Sequence, residues 1–352
     1  MEKADLLRYV DRHLPDFAAA GSPERLPEGN LNYVWRVPGE GGSIIVKHAP
    51  PYVASDPEVD LDPNRLLFEL RSLQVLSPRG PLAEVSRPDV RPPEPLYADP
   101  HNHVLVMEDL GDVPPLGRWI QGRSGEEMER VETAGRQLGA FIGRLHRTTL
   151  GDDRMAEAFD NRAMQQTRQA VQYEAATDLL RRGGVDDADA LGQRVRSLGK
   201  VLRRPGRCLT MGDLWPPSVL VTGDGLRVID WELAHYGQPL QDLAHWDAHL
   251  WMLAHRGDAP TAEAAGVLRD AFWTAYRAAI GSAADRLWTD AMDERASIHF
   301  GAEILVRTVG RFQDGYLYDG LDPNDEPVQE AVATAAAAIR NPSSELEMRR
   351  EQ

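Results

Sequence analysis

The 352-residue chain is 42% apolar and 27% charged, which excludes a disordered chain, supplies a sizeable core and suits two lobes. Its formal net charge of -16 excludes a general nucleic-acid or anionic-membrane binder by long-range repulsion, while leaving room for a local basic pocket. The single cysteine, Cys208, excludes an intrachain disulfide framework and fits a reducing, cytoplasmic compartment.

The opening "MEKADLLRYVDRHLPDF" scatters acids and bases through its apolar positions, unlike a signal peptide, and no later stretch is long enough to span a bilayer. Leu6, Leu7, Tyr9, Val10 and Leu14 share helical spacing and predict an amphipathic helix. "NYVWRV" and "SIIVKHA" then flank Pro38 to Gly42 and predict a hairpin with a loose loop. "PNRLLFELRSLQVL" places Leu66, Leu67, Leu70, Leu73 and Leu76 on one helical face, and a proline-rich stretch follows. "PLYADPHNHVLVMEDL" predicts two more strands around an Asp-Pro turn.

From about residue 115 the pattern turns helical, most strongly in "EEMERVETAGRQLGAFIGRLHRTT", and stays so apart from one hairpin. The expectation is an α+β chain. A small N-terminal lobe with an antiparallel sheet and helix, residues 1–108, joins a larger, mainly helical lobe, residues 109–352, through a seam at Met107 to Asp112. The tail "NPSSELEMRREQ" is expected to fray.

Four segments carry candidate chemistry. Lys47 lies inside the apolar run "IIVKHA", where a lysine is costly unless its ammonium reaches a cleft or an acid. Glu69, on the next helix, is the candidate acid, because a strand lysine paired to a helix glutamate is how kinases aim a lysine at nucleotide phosphates. The competing reading is an edge lysine reaching for water beside an unrelated glutamate. Upstream, "EGNLNYVWRV" sets a glycine before Asn30 and Asn32, in a turn whose N–H groups can meet phosphate oxygens or simply close a loop. "VLVMEDLG" runs a strand into the seam, where backbone groups around Met107, Glu108 and Leu110 can meet an adenine edge.

The fourth segment is "MGDLWPPSVLVTGDGLRVIDWE", residues 211–232, which predicts a hairpin around Thr222 to Gly225 with acids at its open end. Asp213 is placed to orient an acceptor hydroxyl and take its proton. Ser218 and Asp230 are the candidate oxygen ligands of Mg2+. Glu232 faces the same way by strand alternation, toward a second metal or a substrate hydroxyl, if the strand continues that far. The structural alternative is a pair of acids that cap loops.

Together these segments resemble the aminoglycoside phosphotransferase and choline kinase superfamily, and within it methylthioribose kinases most closely. The resemblance rests on Gly29-Asn30-Leu31-Asn32, Val46-Lys47, Pro51-Tyr52-Val53, the spacing of Leu61, Asp62, Arg65 and Glu69, "VMEDL", and a serine at 218 where most relatives have asparagine. It implies a bilobal protein-kinase-like fold and MgATP as cofactor. It also implies Asp213 as catalytic aspartate, Ser218 and Asp230 on Mg2+, and Lys47, aimed by Glu69, on the phosphates. Asp242 resembles the aspartate that braces the catalytic loop.

Two positions depart from the pattern. Met211 replaces the catalytic-loop histidine, and Val306-Arg307 replaces a pair of arginines near the substrate. Arg307 is a substrate-binding candidate or, equally, a structural partner of Glu303 one helical turn earlier. Tyr236 and Trp215, close in sequence to the acids, are candidate walls of the acceptor pocket. His245 and His249 sit at i and i+4, but with no cysteine or third spaced ligand the segment reads as a packing helix rather than a zinc site.

The expected activity is transfer of the γ-phosphate of ATP to a small-molecule hydroxyl, methylthioribose or a related sugar first, with aminoglycosides and amino alcohols as alternatives. Among macromolecules the expected partner is at most a second copy of the chain, as a homodimer. The rival from a different class is a silent nucleotide-binding pseudokinase, motivated by Met211.

Overall fold

The computed structural model describes residues 3–26 and 31–342; the Gly29-Asn30 turn and the tail after Pro342 lie outside the described residues. Helix α1 (Lys3–His13) leads into strands β1 (Glu24–Arg25), β2 (Tyr33–Gly39) and β3 (Gly42–His48). Strands β4 (Tyr52–Val53) and β5 (Asp56–Asp60) form a small hairpin before helix α2 (Arg65–Leu76). β6 (Val90–Arg91), β7 (Pro95–Asp99) and β8 (Val104–Glu108) follow. The main antiparallel sheet runs β1-β2-β3-β8-β7 among the described residues. β2 and β3 pair as far as Gly39 and Gly42, so the expected loose loop is a two-residue turn, with Gly42 at φ +133° closing it.

Alternation along β3 decides what faces what. Ile44 and Val46 join Leu6 and Val10 of α1 in one small core, while Ile45 and the next inward position, Lys47, turn toward α2. Period-two geometry thus delivers the lysine to the helix that carries Glu69.

Helices dominate the rest. α3 (Leu116–Trp119), α4 (Met128–Thr148), α5 (Asp153–Ala158) and α6 (Arg162–Arg168) come first, and α6 runs directly into a π-helical segment, Gln169–Glu174. α7 (Ala176–Arg182) and α8 (Ala188–Leu202) follow. Four short strands interrupt them: β9 (Cys208–Thr210), β10 (Val219–Thr222), β11 (Gly225–Val228) and β12 (His235–Gly237). α9 (Leu240–Arg256), α10 (Ala259–Ile280), α11 (Ala284–Leu287), α12 (Asp290–Thr308) and α13 (Glu326–Arg340) complete the chain.

The expected hairpin is β10-β11, with β6 added in parallel. The β9-β12 pair, with no separate signal in the pattern, clamps the chain on either side of it. α4 and α10 approach closely because glycines lie between them: a Cβ on Gly139 would stand 2.1 Å from the Phe272 carbonyl oxygen.

Candidate active site

Lys47 sits at the centre of the slot between the sheet and the β10-β11 hairpin. Its Nζ lies 2.7 Å from Glu69 Oε2 and 2.8 Å from Asp230 Oδ1. Burial pulls the ammonium pKa down, but Asp230, Glu69 and Glu232 outweigh it and hold the group charged above its ordinary range. At Glu69 burial wins over Lys47, and with repulsion from Asp230 and Glu232 lifts the carboxyl to about 7. Asp230 follows β11 in the left-handed region, φ 63° and ψ 55°, a strained conformation for a non-glycine residue. The turn aims one oxygen at Lys47 and leaves the carboxylate 47% exposed.

Glu232 differs from expectation. β11 ends at Val228 and residues Trp231–Leu233 form a 3-10 turn, so strand alternation does not reach Glu232. Its buried carboxylate instead accepts from Asn32 Nδ2 at 2.9 and 3.1 Å and from Arg65 Nε at 3.1 Å. Both side chains, expected at a metal or substrate and at the phosphates, are engaged with each other and with Arg65, whose Nη2 also donates to Asn32 Oδ1 at 3.0 Å. Arg65 is the hub, donating further to the carbonyls of Leu31, Pro50 and Asp62. Such a buried guanidinium needs every donor satisfied, and the fold supplies acceptors from four segments.

Three carboxylates, Glu69, Asp230 and Glu232, thus surround two cations, Lys47 and Arg65. An oxygen-rich, acid-excess site with one exposed carboxylate fits a hard divalent cation, and Asp230 is the residue that would hold it. Ser218 fits less well: its buried hydroxyl donates to Trp215 O at 2.8 Å and accepts from Trp215 N at 3.3 Å, so it ties its own loop.

The catalytic-loop segment follows β9. Met211 is fully buried in the apolar core, and its backbone N–H donates to Asp242 Oδ2 at 2.9 Å while that of Gly212 donates to Oδ1 at 2.7 Å. Asp242 in turn meets His146 Nε2 at 3.0 Å, and His146 Nδ1 meets the Tyr276 hydroxyl at 3.0 Å. The loop is therefore gripped through its backbone, which explains how it dispenses with a side-chain anchor at 211. Gly212, at φ +82°, is required: a Cβ would lie 2.3 Å from Leu233 O. Restoring a histidine by Met211→His is expected to destabilise the fold by about 2 kcal/mol, the cost of a polar ring in an apolar niche, and to leave turnover no higher; urea denaturation and rate assays check both.

Asp213 emerges from this loop into a polar cluster. Its Oδ1 lies 3.0 Å from Arg168 Nη2 and 3.2 Å from His245 Nε2. Burial raises its pKa, but His245, then Arg168 and Arg307, pull it down to about 2, so it is ionised at neutral pH. Arg168 carries no local sequence signal; it ends α6 where the helix runs into the π-helical segment, whose Gln172 and Tyr173 meet Glu303 and His299 of α12.

The model for the phosphotransferase enzyme family matches residues 22–285. The chain belongs to that family. The 4-hydroxytryptamine kinase of Psilocybe cyanescens is 30% identical over 269 residues, covering 72% of this chain and 74% of that protein. The methylthioribose kinase of Exiguobacterium sibiricum is 25% identical over 252 residues, covering 66% of this chain and 61% of that protein. Among solved structures, an amicoumacin kinase in complex with AMP-PNP, Ca2+ and Ami superposes with a TM-score of 0.53 at 16% identity, over 97% of this chain and 94% of that one.

The phosphotransferase acts on a hydroxyl acceptor and has the bilobal kinase-like α+β fold expected from its sequence. No described helix is long and apolar enough to cross a membrane.

The remaining site candidates of the phosphotransferase fall into place as follows. At the seam, Met107 is buried, the Glu108 carboxylate pairs with Arg91, and the Glu108 N–H donates to Glu94 O at 3.0 Å; Leu110, half-buried, follows. Asp109 accepts from Arg36 and Ser43 and pins the seam to β2 and β3. The Tyr236 hydroxyl shares its hydrogen between Arg207 O at 2.7 Å and Thr149 O at 3.1 Å, which braces β9 and β12. Arg307 makes the structural pair weighed for it, Nε donating to Glu303 at 2.9 Å, and its guanidinium stacks over Trp215, 4.5 Å from the ring centre. Tyr316 stands 5.2 Å from Trp215, and Arg307 also faces it and Phe312. His235 stands apart on Leu233 O, while His245 and His249 close around Glu303.

Proposed function

We propose that the protein transfers the γ-phosphoryl group of ATP to a hydroxyl of a small aromatic amine of the hydroxytryptamine kind. The observation that carries this reading is the pairing of an ionised Asp213 with an adjacent aromatic wall of Trp215 and Tyr316, opposite the Lys47–Glu69–Asp230 cluster. Planar rings stack on such a wall, and the relative at 30% identity is a 4-hydroxytryptamine kinase.

In this reading residues 1–108 hold the nucleotide, with the seam at Met107, Glu108 and Leu110 along its base. Lys47, aimed by Glu69, binds the phosphates. Asp230 would hold Mg2+, with Ser218 beside it on the other arm of the hairpin mouth, and the ion when bound offsets charge on the phosphates. Asp213 orients the acceptor hydroxyl. Because its pKa lies near 2, it is a weak base and takes the proton only as the new O–P bond forms. Asn32, Arg65 and Glu232 tie the sheet to the hairpin and keep Asp230 opposite Lys47.

The test is ADP release from MgATP with 4-hydroxytryptamine, methylthioribose, choline and an aminoglycoside. The expected result is highest kcat/KM with 4-hydroxytryptamine. Preference for methylthioribose, favoured by Ser218 and by the second curated relative, would move the acceptor to the sugar class. No turnover above an Asp213→Asn control, with ATP still bound, would mean a silent nucleotide-binding protein.

A further inference from the structure

Asp213 does not end the chain of ionisable groups in the large lobe. Its Oδ1 is 3.2 Å from Nε2 of His245, on α9, and His245 Nδ1 is 3.3 Å from Glu303 Oε2, on α12. Glu303 Oε1 meets His249 Nε2 at 3.1 Å, and His249 Nδ1 meets the Tyr316 hydroxyl at 3.0 Å. His245, Glu303 and His249 are all buried, and Tyr316 lies at the half-buried rim.

A histidine kept in a core for packing needs one satisfied nitrogen and apolar surroundings. His245 instead sets each ring nitrogen toward a carboxylate, one of them the proposed catalytic base. Neither nitrogen is aligned for a hydrogen bond in this arrangement, although both carboxylates are within reach, so completing either bond takes a rotation of the ring.

We infer that His245 is a positioning residue that receives the acceptor's proton from Asp213, with Glu303 holding the imidazole for that role; this rests on the phosphotransfer reading above. As the acceptor oxygen bonds to the γ-phosphorus, the bond from that phosphorus to the β–γ bridging oxygen breaks and its electron pair leaves on ADP. The acceptor proton passes to an Asp213 oxygen and then to Nε2 of His245, giving an imidazolium between two carboxylates. The proton is released to water after the product departs, so no further reactant is needed. His245 thereby supplies a histidine to the loop of Asp213 from α9, although position 211 is methionine.

The groups that face His245 are Asp213 from the loop, Glu303 and His299 from α12, and His249 from its own helix. Arg168 and Arg307 lie one step away on the two carboxylates. Burial lowers the imidazole pKa, but Glu303 and Asp213 outweigh it and raise it above the ordinary value of 6.5. His245 must be neutral to receive the proton, and once neutral it no longer exerts the charge that depresses Asp213, which becomes the better base; turnover therefore rises with pH through the His245 pKa and falls below it.

Two readouts test the relay. Ring-15N NMR of the full chain, with His245 assigned from the spectrum of His245→Gln, is expected to show a titration above pH 6.5 that moves to lower pH in Asp213→Asn. A His245 midpoint indifferent to Asp213→Asn overturns the coupling. In parallel, kcat with saturating MgATP and 4-hydroxytryptamine is expected to fall about 30-fold in His245→Gln, with its acid limb lost and KM for ATP unchanged. An acid limb that survives unmoved in His245→Gln while wild type turns over overturns the relay alone. No wild-type turnover across the acceptor panel, with His245 still titrating against Asp213, overturns the phosphotransfer reading and the relay with it.

Discussion

Asp213→Asn is expected to lower kcat about 10³-fold while KM for ATP stays within a few-fold, because the change removes proton acceptance without touching the Lys47 cluster. Asparagine keeps the shape and can still accept from Arg168, so folding should survive and the loss belongs to chemistry. Steady-state kinetics at saturating MgATP measures it. A loss below about 10-fold would remove Asp213 from the proton path and return attention to Asp230, the other acid at the open end of the hairpin.

Asp242→Ala is expected to have the largest effect on stability, about 3 to 5 kcal/mol by urea denaturation, with turnover falling alongside. The carboxylate is fully buried and takes the N–H groups of Met211 and Gly212 as well as His146 Nε2. Truncation strands two buried backbone donors and a buried histidine at once, and water has no path to replace the acceptor. Because the same bonds set the loop of Asp213, stability and kcat should fall together, whereas Asp213→Asn should separate them. A cost under about 1 kcal/mol would mean that packing around Met211, not Asp242, holds the loop.

Much of the frame was legible before any coordinates. Alternation and helical period located the β2-β3 hairpin, α1, α2 and the β10-β11 hairpin, because each carries a complete apolar period within its own few residues. The lysine in an apolar strand and the glutamate on the next helix announced their pairing, since neither is tolerated alone in a core. Strand alternation does not reach Glu232, which lies four residues past the end of β11, because a left-handed Asp230 resets the direction of every later side chain.

The sequence by itself determined the α+β architecture, the acids at the mouth of the hairpin and the lysine opposite them, all of which follow from local periodicity and the cost of burying charge. Only the tertiary structure decided that Glu232 belongs to Arg65 and Asn32, that Asp242 grips the loop through the N–H groups of Met211 and Gly212, and that Arg168, His245 and Glu303 converge on Asp213. Those partners lie between 30 and 200 residues apart along the chain. No period connects them; they meet because α9, α12 and the π-helical end of α6 pack around one buried loop whose polar groups each need a partner.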